Sequence, residues 1–411
     1  MLQLARPALF SCLLLLLLDV FLLFRTPNGV VAARQTGDKL SNGDDNEIQV
    51  VVENAYSFRI EVEVIDELPL QFQIRDQTFR FRLAAGAQKA FSYFLRPVQR
   101  GEHHFGALNV YAASPFGLAR KRYCFAQDTV VPVYPSFIQM RTYELLAISN
   151  HLTELGIKKI RRLGHTLEFE HIRGYVEGDD YRTINWRATA RKGDIMVNQY
   201  QDEKSQQLYS VIDMGRVMKM PFARMSLLDY AINASLVIAN IALRKHDKAG
   251  IITFSEKVNA VLPADRKGSQ LSKILELLYN QKTGFLESNF EALAAVIGQK
   301  IRHRSLLLIF TNFETLSSLK RQLPCLRRLA RSHLVVTIFF ENTELNALHQ
   351  KRAKNTEEIY IKTIAEKFAF EKRQIVKELS RYGIHAILTA PQNLTANTIN
   401  KYLELKARGL I

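Results

Sequence analysis

Cysteine and tryptophan are scarce in this 411-residue sequence, which has three cysteines and a single tryptophan. Cys12, Cys124 and Cys325 lie far apart and lack the spacing of metal ligands, so neither a disulfide framework nor a zinc site is expected, and a reducing compartment is indicated. The ten histidines are scattered along the chain rather than clustered. The sequence also lacks a repeat of fixed period, which excludes a repeat architecture.

The remaining composition is that of a globular protein. Apolar residues make up 47% of the chain and charged residues 23%, and the length predicts two or three domains. The formal net charge of +16 favours an anionic partner. We interpret it as a basic surface beside anionic lipid, because the chain also carries an apolar N-terminal segment.

The N-terminal segment, residues 8–24, is largely apolar, and Asp19 is its only charged residue. It is short for a spanning helix, which needs about 17–25 residues. More basic residues follow the segment than precede it, which predicts that the C-terminal side is cytoplasmic. We therefore expect residues 1–27 to anchor the protein in the inner membrane, with its soluble domains facing the cytoplasm. The alternative is a cleaved signal peptide ending near Ala33, which Asp19 and the following basic residues disfavour.

Within residues 40–136, apolar side chains recur at every second position in separate short runs. Three such runs are spaced by turn signals; their apolar residues are Ile48, Val50, Val52, Ile60, Val62, Val64, Phe79, Phe81 and Leu83. Short alternating strands of this kind predict an antiparallel β-sandwich. His103 and His104 are adjacent and point to opposite faces of a strand, and we expect both to be surface residues without a catalytic role.

Residues 137–204 form a linker and the most distinctive string of the chain, GYVEGDDYRTINWRATARKGDIMVNQY from Gly174 onward. We call residues 164–204 the signature segment. Gly178 permits a tight turn, and Asp179 or Asp180 caps a short helix. That helix is expected to carry further candidate residues, which are Arg182, Trp186, Arg187 and Arg191.

Two roles are open for this helix. A structural brace, with Trp186 filling a gap in the core, is favoured over a recognition surface, because core packing explains most such aromatics. The brace predicts that Trp186→Ala lowers stability by about 3–5 kcal/mol.

The signature segment resembles the core motif of the domain of unknown function 58 family. The matching positions are Tyr175, Gly178, Asp179, Asp180, Arg182, Asn185, Trp186, Arg187, Ala190 and Arg191. Asn185 stands where the family commonly has aspartate, and Arg187 where it commonly has lysine. The resemblance implies association with MoxR-type AAA+ ATPases and other von Willebrand factor A proteins. It also implies two adjacent membrane helices, whereas this chain shows one.

In residues 205–411 apolar strands alternate with helical patterns, which predicts a doubly wound parallel sheet. The predicted strands are Leu208–Ile212, Gly250–Phe254, Ser305–Phe310, Leu334–Phe340 and Ile384–Leu388. The predicted helices are Ser226–Leu243, Leu271–Tyr279, Phe290–Ile301, one from Asn355 to Gly383, and one ending at Leu403.

This part resembles a von Willebrand factor A domain. The resemblance implies a magnesium site built from oxygen ligands. The positions that match that site are degenerate and are Asp213, Gly215, Val217, Ser288 and Asn312. Two hydroxyls and one charge are missing, so no cofactor is expected, with magnesium as the only weak candidate. Arg216 is expected to turn inward and pair with Asp213.

The resemblance and these residues together predict a membrane-anchored, non-enzymatic binding and assembly protein. Its expected role is that of an adaptor for a MoxR-type AAA+ ATPase in envelope protein maturation or stress tolerance. One alternative is a metal-dependent hydrolase, for which no intact cage is evident. The other is a nucleic-acid-binding protein. The lysines of the long helix, Lys372 among them, lie between glutamates as on a solvated face, so no nucleic-acid partner is expected.

Overall fold

The computed structural model describes residues 2–74, 77–126, 128–148, 168–176, 179–201, 206–343 and 355–410. It divides into two compact units, Met1–Gln139 and Met140–Ile411.

The first unit begins with a long helix and continues as a β-rich region. The helix is α1 (Leu2–Arg25). The strands are β1 (Val30–Gln35), β2 (Leu40–Ser41), β3 (Asn46–Asn54), β4 (Ile60–Asp66), β5 (Thr78–Leu83), β6 (Gln88–Leu95), β7 (Gly101–Phe105), β8 (Leu108–Ala113), β9 (Arg120–Phe125) and β10 (Thr129–Tyr134). They form sheets of order β1-β3-β6, β2-β10-β7 and β5-β4-β8-β9.

The predicted alternation sets the core of this β-rich region. Ile48, Val50 and Val52 of β3 are buried together with Val62 and Val64 of β4 in one apolar cluster. Their polar neighbours along the strands are the more exposed residues. The β-rich N-terminal region is therefore confirmed.

The two adjacent histidines of β7 differ in environment. They do point to opposite faces, but His103 is buried against Phe72, with ring centroids 5.4 Å apart, whereas His104 is exposed. The expectation of two surface histidines was wrong for His103. Burial lowers the pKa of His103, and its Nε2 lies 3.0 Å from the carbonyl oxygen of Gln99.

The last turns of α1 pack onto the β-rich region. Asp19 is buried, and its Oδ2 accepts hydrogen bonds from the backbone N–H groups of Leu118 (2.9 Å) and Ala119 (2.7 Å). Leu23 is also buried, and its carbonyl accepts a hydrogen bond of 2.7 Å from the hydroxyl of Tyr56. Asp19 thus connects the helix to the β-rich region through two hydrogen bonds. Its position in an apolar run does not predict this role.

The second unit contains helices α2–α9 and strands β11–β20, with α2 beginning three residues before the boundary. Its helices are α2 (Phe137–Ile148), α3 (Trp186–Lys192), α4 (Leu227–Arg244), α5 (Gln270–Tyr279), α6 (Phe290–Lys300), α7 (Leu316–Ser332), α8 (Thr356–Arg381) and α9 (Leu394–Ala407). Its strands are β11 (Glu168–Gly174), β12 (Met196–Gln201), β13 (Gln207–Asp213), β14 (Pro221–Phe222), β15 (Met225–Ser226), β16 (Lys248–Phe254), β17 (Val258–Asp265), β18 (Leu306–Phe310), β19 (Leu334–Phe340) and β20 (His385–Thr389).

The main sheet of this unit has the order β17-β16-β13-β18-β19-β20. Five neighbouring strands run parallel to one another, namely β16, β13, β18, β19 and β20. The edge strand β17 pairs antiparallel with β16. The sheet is therefore mixed, with one antiparallel edge strand where a parallel sheet was predicted. The predicted strands and helices are each present within a few residues, while β17, α7 and the two-residue strands β14 and β15 are additional.

Helices cover both faces of this sheet. Leu208 and Ile212 of β13 pack in a cluster with α4, α5 and α9, whereas Tyr209 and Val211 pack in a second cluster with α6, α7 and α8. Side chains alternate across a strand, so both faces of β13 are apolar, as in a sheet that is buried on both sides. The doubly wound arrangement is confirmed.

One helix among the described residues is long and apolar enough to cross a membrane. It is α4, and 83% of it is buried inside the protein, as in a core helix. Ser226 caps its N-terminus by accepting a hydrogen bond from the N–H of Asp229. The membrane role of helix α1 stays a prediction.

Candidate functional site

Asp213 ends the central strand β13 at the carboxyl edge of the sheet. The sheet grows from β13 toward β16 on one side and toward β18 on the other, so this edge is the topological switch point, where open α/β sheets bind ligands. Asp213 is fully buried. The sequence placed this residue correctly, because its strand is apolar up to the carboxylate.

Protein groups occupy both oxygens of the Asp213 carboxylate. Oδ1 accepts hydrogen bonds from the N–H of Gly215 (2.8 Å) and from the hydroxyl of Ser288, and Oδ2 accepts one of 2.7 Å from the hydroxyl of Thr311. Burial raises the pKa of Asp213, while these three hydrogen bonds act in the opposite direction. Thr311 directly follows the end of β18 and was not among the positions matched to the magnesium site.

Arg216 does not pair with Asp213, contrary to expectation. Its guanidinium lies 2.8 Å from Glu287 Oε1, and Arg321 lies 3.5 Å from the other oxygen of the same carboxylate. Both arginines are largely exposed, so the pairs close the rim of a cleft of about 250 Å³ whose floor includes Asp213. The buried carboxylate is left to its neutral hydrogen-bond donors.

The residues at this edge do not fit a magnesium ion. Gly215 and Val217 have no side-chain oxygen, and a Cβ built on Gly215 meets Ser288 Oγ at 2.1 Å, so a serine there would require Ser288 to move. The hydroxyl of Ser288 is directed to Asp213 instead of into the cleft. Within the described parts of the chain, no three His, Cys, Asp or Glu side chains are grouped so as to hold a metal ion.

A lysine approaches the same edge from helix α8. Lys372 Nζ donates a hydrogen bond of 2.7 Å to Oδ1 of Asn312 and lies 5.7 Å from the ring centroid of Phe339. Burial lowers the pKa of Lys372 to about 8, and the carboxylate of Glu314 acts in the opposite direction. The prediction of a solvated lysine was wrong at this position. Its helical spacing from the buried residue Ile375 is the signal that places Lys372 on the inner face of α8.

Lys372 also lines a cavity of about 680 Å³ at the carboxyl ends of β18, β19 and β20. The apolar part of its lining includes Phe222, Leu227 and Phe340, and the charged part includes Glu341. Asn312 lines both this cavity and the cleft of Asp213. The two spaces are therefore neighbours along one edge of the sheet.

We predict that Lys372 makes the stability of the protein depend on pH in the alkaline range. Its folded pKa of about 8 lies below the ordinary value of 10.5, so the unfolded chain binds the proton more tightly. Stability therefore rises with pH between these two values, as the buried ammonium loses its charge. From pH 7.5 to 9.5 the free energy of unfolding of wild type, measured with urea, should rise by about 1–2 kcal/mol relative to that of Lys372→Met.

The control for this experiment is Lys367→Met, which removes an exposed lysine of the same helix. The difference in free energy of unfolding between Lys367→Met and wild type should stay constant over the same pH range. A constant difference for Lys372→Met would show that its ammonium is solvated.

The signature segment is held by polar side chains. The guanidinium of Arg173 on β11 binds both oxygens of Asp179 at 2.7 and 2.8 Å, which lowers the pKa of that carboxyl. Asp180 accepts a hydrogen bond from the N–H of Arg182 and caps a single 3-10 turn, Tyr181–Thr183. The predicted turn at Gly178 lies outside the described residues.

The short helix of this segment begins later than predicted. Asn185 caps α3 by accepting a hydrogen bond from the N–H of Ala188, and its amide donates one of 2.8 Å to Asn198 on β12. Arg182 consequently lies on the preceding 3-10 turn, whereas Arg187 and Arg191 lie on α3. The asparagine that departs from the family's aspartate thus does the capping.

Trp186 does not fill a core gap. It is 70% exposed, as is Tyr181, so the prediction that Trp186 braces the fold was wrong. Tyr175 and Val176 are exposed beside them in sequence. The buried residues behind this surface are Met196 and Val197 of β12. Small polar residues hold the backbone, and the aromatic residues face outward.

Two comparisons support the family suggested by the signature segment. The family described as "Protein of unknown function DUF58" matches residues 171–351. The "Uncharacterized protein YeaD" of Bacillus subtilis (strain 168) is 30% identical over 122 residues, which are 30% of this chain and 30% of the relative. The chain thus aligns with about a third of that relative, and the matches support the DUF58 family for this chain.

Similarity to solved structures is weak. A PapD-like domain of human CEP192 shares 11% identity and covers 26% of this chain and 87% of its own, with a TM-score of 0.21. The conserved hypothetical protein BatB from Bacteroides thetaiotaomicron shares 10% identity and covers 50% of this chain and 100% of its own, with a TM-score of 0.32. At these scores neither likeness carries an argument.

Proposed function

We propose that this chain is a membrane-anchored, non-enzymatic binding and assembly protein that acts as an adaptor for a MoxR-type AAA+ ATPase in envelope protein maturation or stress tolerance. The observation that carries the proposal is the exposure of Trp186 and Tyr181 on a backbone fixed by polar side chains. Tryptophan, tyrosine and arginine are the residues that most often dominate the energetics of protein interfaces.

The fixed backbone favours binding. Asp179, Asp180 and Asn185 each hold a backbone N–H or a neighbouring arginine, so the segment does not have to be ordered when a partner arrives. Pre-organisation of this kind lowers the entropic cost of association. Large aromatic side chains also gain most when a partner removes them from water.

The charge around the aromatic residues specifies the partner's chemistry. Arg182, Arg187, Arg191 and Lys192 are all exposed within or beside α3. They fit an acidic surface that offers apolar pockets between its carboxylates. The identity of the partner as a MoxR-type ATPase rests on the family resemblance of these same positions.

The sheet supports a von Willebrand factor A-like interpretation of the second unit. Numbered along the chain, its strands follow the order 3-2-1-4-5-6, and the third strand, β17, is the antiparallel one. Both carboxylate oxygens of Asp213 accept hydrogen bonds from groups of the protein itself. We therefore propose that the signature segment binds the partner, in place of a metal ion at this edge of the sheet.

The experiment is co-purification of the full chain with a MoxR-type ATPase from detergent-solubilised membranes, with and without ATP. The adaptor proposal predicts recovery of the ATPase with wild type and with Tyr360→Ala, which removes an equally exposed aromatic outside the segment. Trp186→Ala should recover little. Recovery of RNA or DNA in place of the ATPase, reproducibly and with all three proteins, would favour a nucleic-acid-binding function.

A further inference from the structure

Helix α1 exposes a long apolar surface before it reaches the β-rich region. Its exposed residues include Leu9, Phe10, Leu13, Leu14, Leu17, Leu18, Phe21 and Phe24. A patch of this extent needs a cover. Helix α1 has 24 residues and is about 36 Å long, which exceeds the roughly 30 Å of a bilayer's hydrocarbon core.

The β-rich region is fastened to α1 before the helix ends. Asp19 receives the N–H groups of Leu118 and Ala119, and it lies six residues before Arg25, or about 9 Å along the helix axis. Apolar residues continue beyond Asp19 as far as Phe24, so the hydrophobic part of the helix does not end at Asp19. If α1 spans the bilayer, the turns from Asp19 onward are immersed, and the loop bound to Asp19 goes with them.

That loop has the composition of a membrane-inserted element. Residues 114–119 read SPFGLA and carry no charge. Phe116 and Leu118 are both exposed at the tip of a turn that Gly117 completes with a positive φ. The turn is closed internally by a hydrogen bond from the N–H of Gly117 to the carbonyl of Ser114, so its backbone polarity is reduced.

Basic groups lie at the same end of α1. Lys121 donates a hydrogen bond of 2.7 Å to the carbonyl of Thr26, just after the helix, and Arg25 lies over the ring of Phe21 at 5.8 Å. The chain as a whole carries a net charge of +16. Basic side chains directly beside an apolar surface fit the headgroups of anionic phospholipids.

We propose that the loop of residues 114–119 inserts into the interfacial layer of an anionic phospholipid bilayer, where lipid covers Phe116 and Leu118 while Asp19 fixes the loop's depth. This inference rests on the proposed anchoring by α1. Asp19 is then a positioning residue: it supplies the acceptor for two N–H groups that water does not reach in the layer. The β-rich region is thereby fixed against the membrane surface, rather than connected to the membrane only through α1.

The test is tryptophan fluorescence of the full chain in vesicles that contain anionic phospholipid and lipid brominated in the acyl chains. The native tryptophan is removed by Trp186→Phe, and one new tryptophan is introduced at a time through Phe21→Trp, Leu118→Trp or Leu70→Trp. Leu70 is 93% exposed and follows the far end of β4 from the loop, about 20 Å away. We expect at least twofold quenching at positions 21 and 118 and none at 70.

The outcomes separate the loop from the anchor. Quenching at position 21 without quenching at 118 overturns the loop insertion and leaves the anchor standing. Absence of quenching at all three positions overturns the anchor and the loop insertion together. Quenching at 70 as strong as at 118 would show that the loop is not the inserted end. With Asp19→Ala added, quenching at 118 should fall at least twofold while quenching at 21 persists; equal quenching at 118 removes Asp19 from the account.

Discussion

Replacing Asp213 by alanine should lower the free energy of unfolding by about 3–5 kcal/mol. The carboxylate is buried and is the shared acceptor of the Thr311 hydroxyl, the Ser288 hydroxyl and the Gly215 N–H. Alanine leaves these donors without their acceptor at the floor of the cleft, and each unsatisfied donor costs roughly 1–3 kcal/mol. Equilibrium urea unfolding of the purified chain measures this loss.

The matched control is Asp213→Asn, which keeps one oxygen acceptor and the side-chain volume. It should cost less than the alanine change, about 1–2 kcal/mol, because the Thr311 and Ser288 hydroxyls can rotate to new partners. Melts of wild type with and without millimolar magnesium should superimpose. A melting temperature that rises with magnesium in wild type but not in Asp213→Ala would restore a metal site and contradict this account.

Replacing Trp186 by alanine should weaken binding of the ATPase by about 30- to 1000-fold, equivalent to roughly 2–4 kcal/mol. The indole is 70% exposed in the free protein, so its burial by a partner is the main change in its environment. Stability should stay within about 0.5 kcal/mol of wild type, in contrast to the loss expected for a core tryptophan. Titration calorimetry of ATPase binding and thermal melts of the two proteins measure both quantities.

Tyr360→Ala is the matched control for this change. Tyr360 is exposed to nearly the same degree but lies on α8, away from the signature segment in sequence. Its substitution should leave the affinity within about twofold of wild type. A loss of several kcal/mol of stability in Trp186→Ala with unchanged affinity would return Trp186 to the role of a structural brace.

Strong apolar periodicity made most of the second unit predictable. Strand β19 has the bounds predicted for it, and α4 differs by one residue at each end, because Ser226 caps the helix from outside. Helix α8 begins after Asn355, whose side chain accepts the N–H of Glu358 as its capping pattern predicts, and Gly383 follows its end with a positive φ. These signals are local, so they survive without tertiary information.

Strand β17 and helix α7 were not predicted, and they lack such signals. Strand β17 lies at the edge of the sheet, where its side chains are only partly buried and Pro263 interrupts the run. Helix α7 contains Pro324 in its interior, which argues against a helix in any local pattern. Its buried leucines nevertheless recur at helical spacing, so packing against the sheet overrides the proline.

The sites were less predictable than the fold. The position of Asp213 follows from its strand, but its partners Ser288 and Thr311 come from distant parts of the chain and meet it only after folding. Exposure of Trp186 was misjudged for a different reason: rarity and aromaticity suit a core residue and an interface residue equally. The exposure of the side chain decides between the two, and it appears only in three dimensions.

Site-specific photo-crosslinking from position 186 tests directly whether the signature segment binds the ATPase. A benzophenone amino acid replaces Trp186 or, as the control, Tyr360, and the full chain in membranes is irradiated together with the MoxR-type ATPase and ATP. We expect a crosslinked adduct of the two proteins from position 186 and none from position 360. A crosslink from 360 alone, or none from 186 while the two proteins still co-purify, would contradict the assignment of the signature segment as the binding surface.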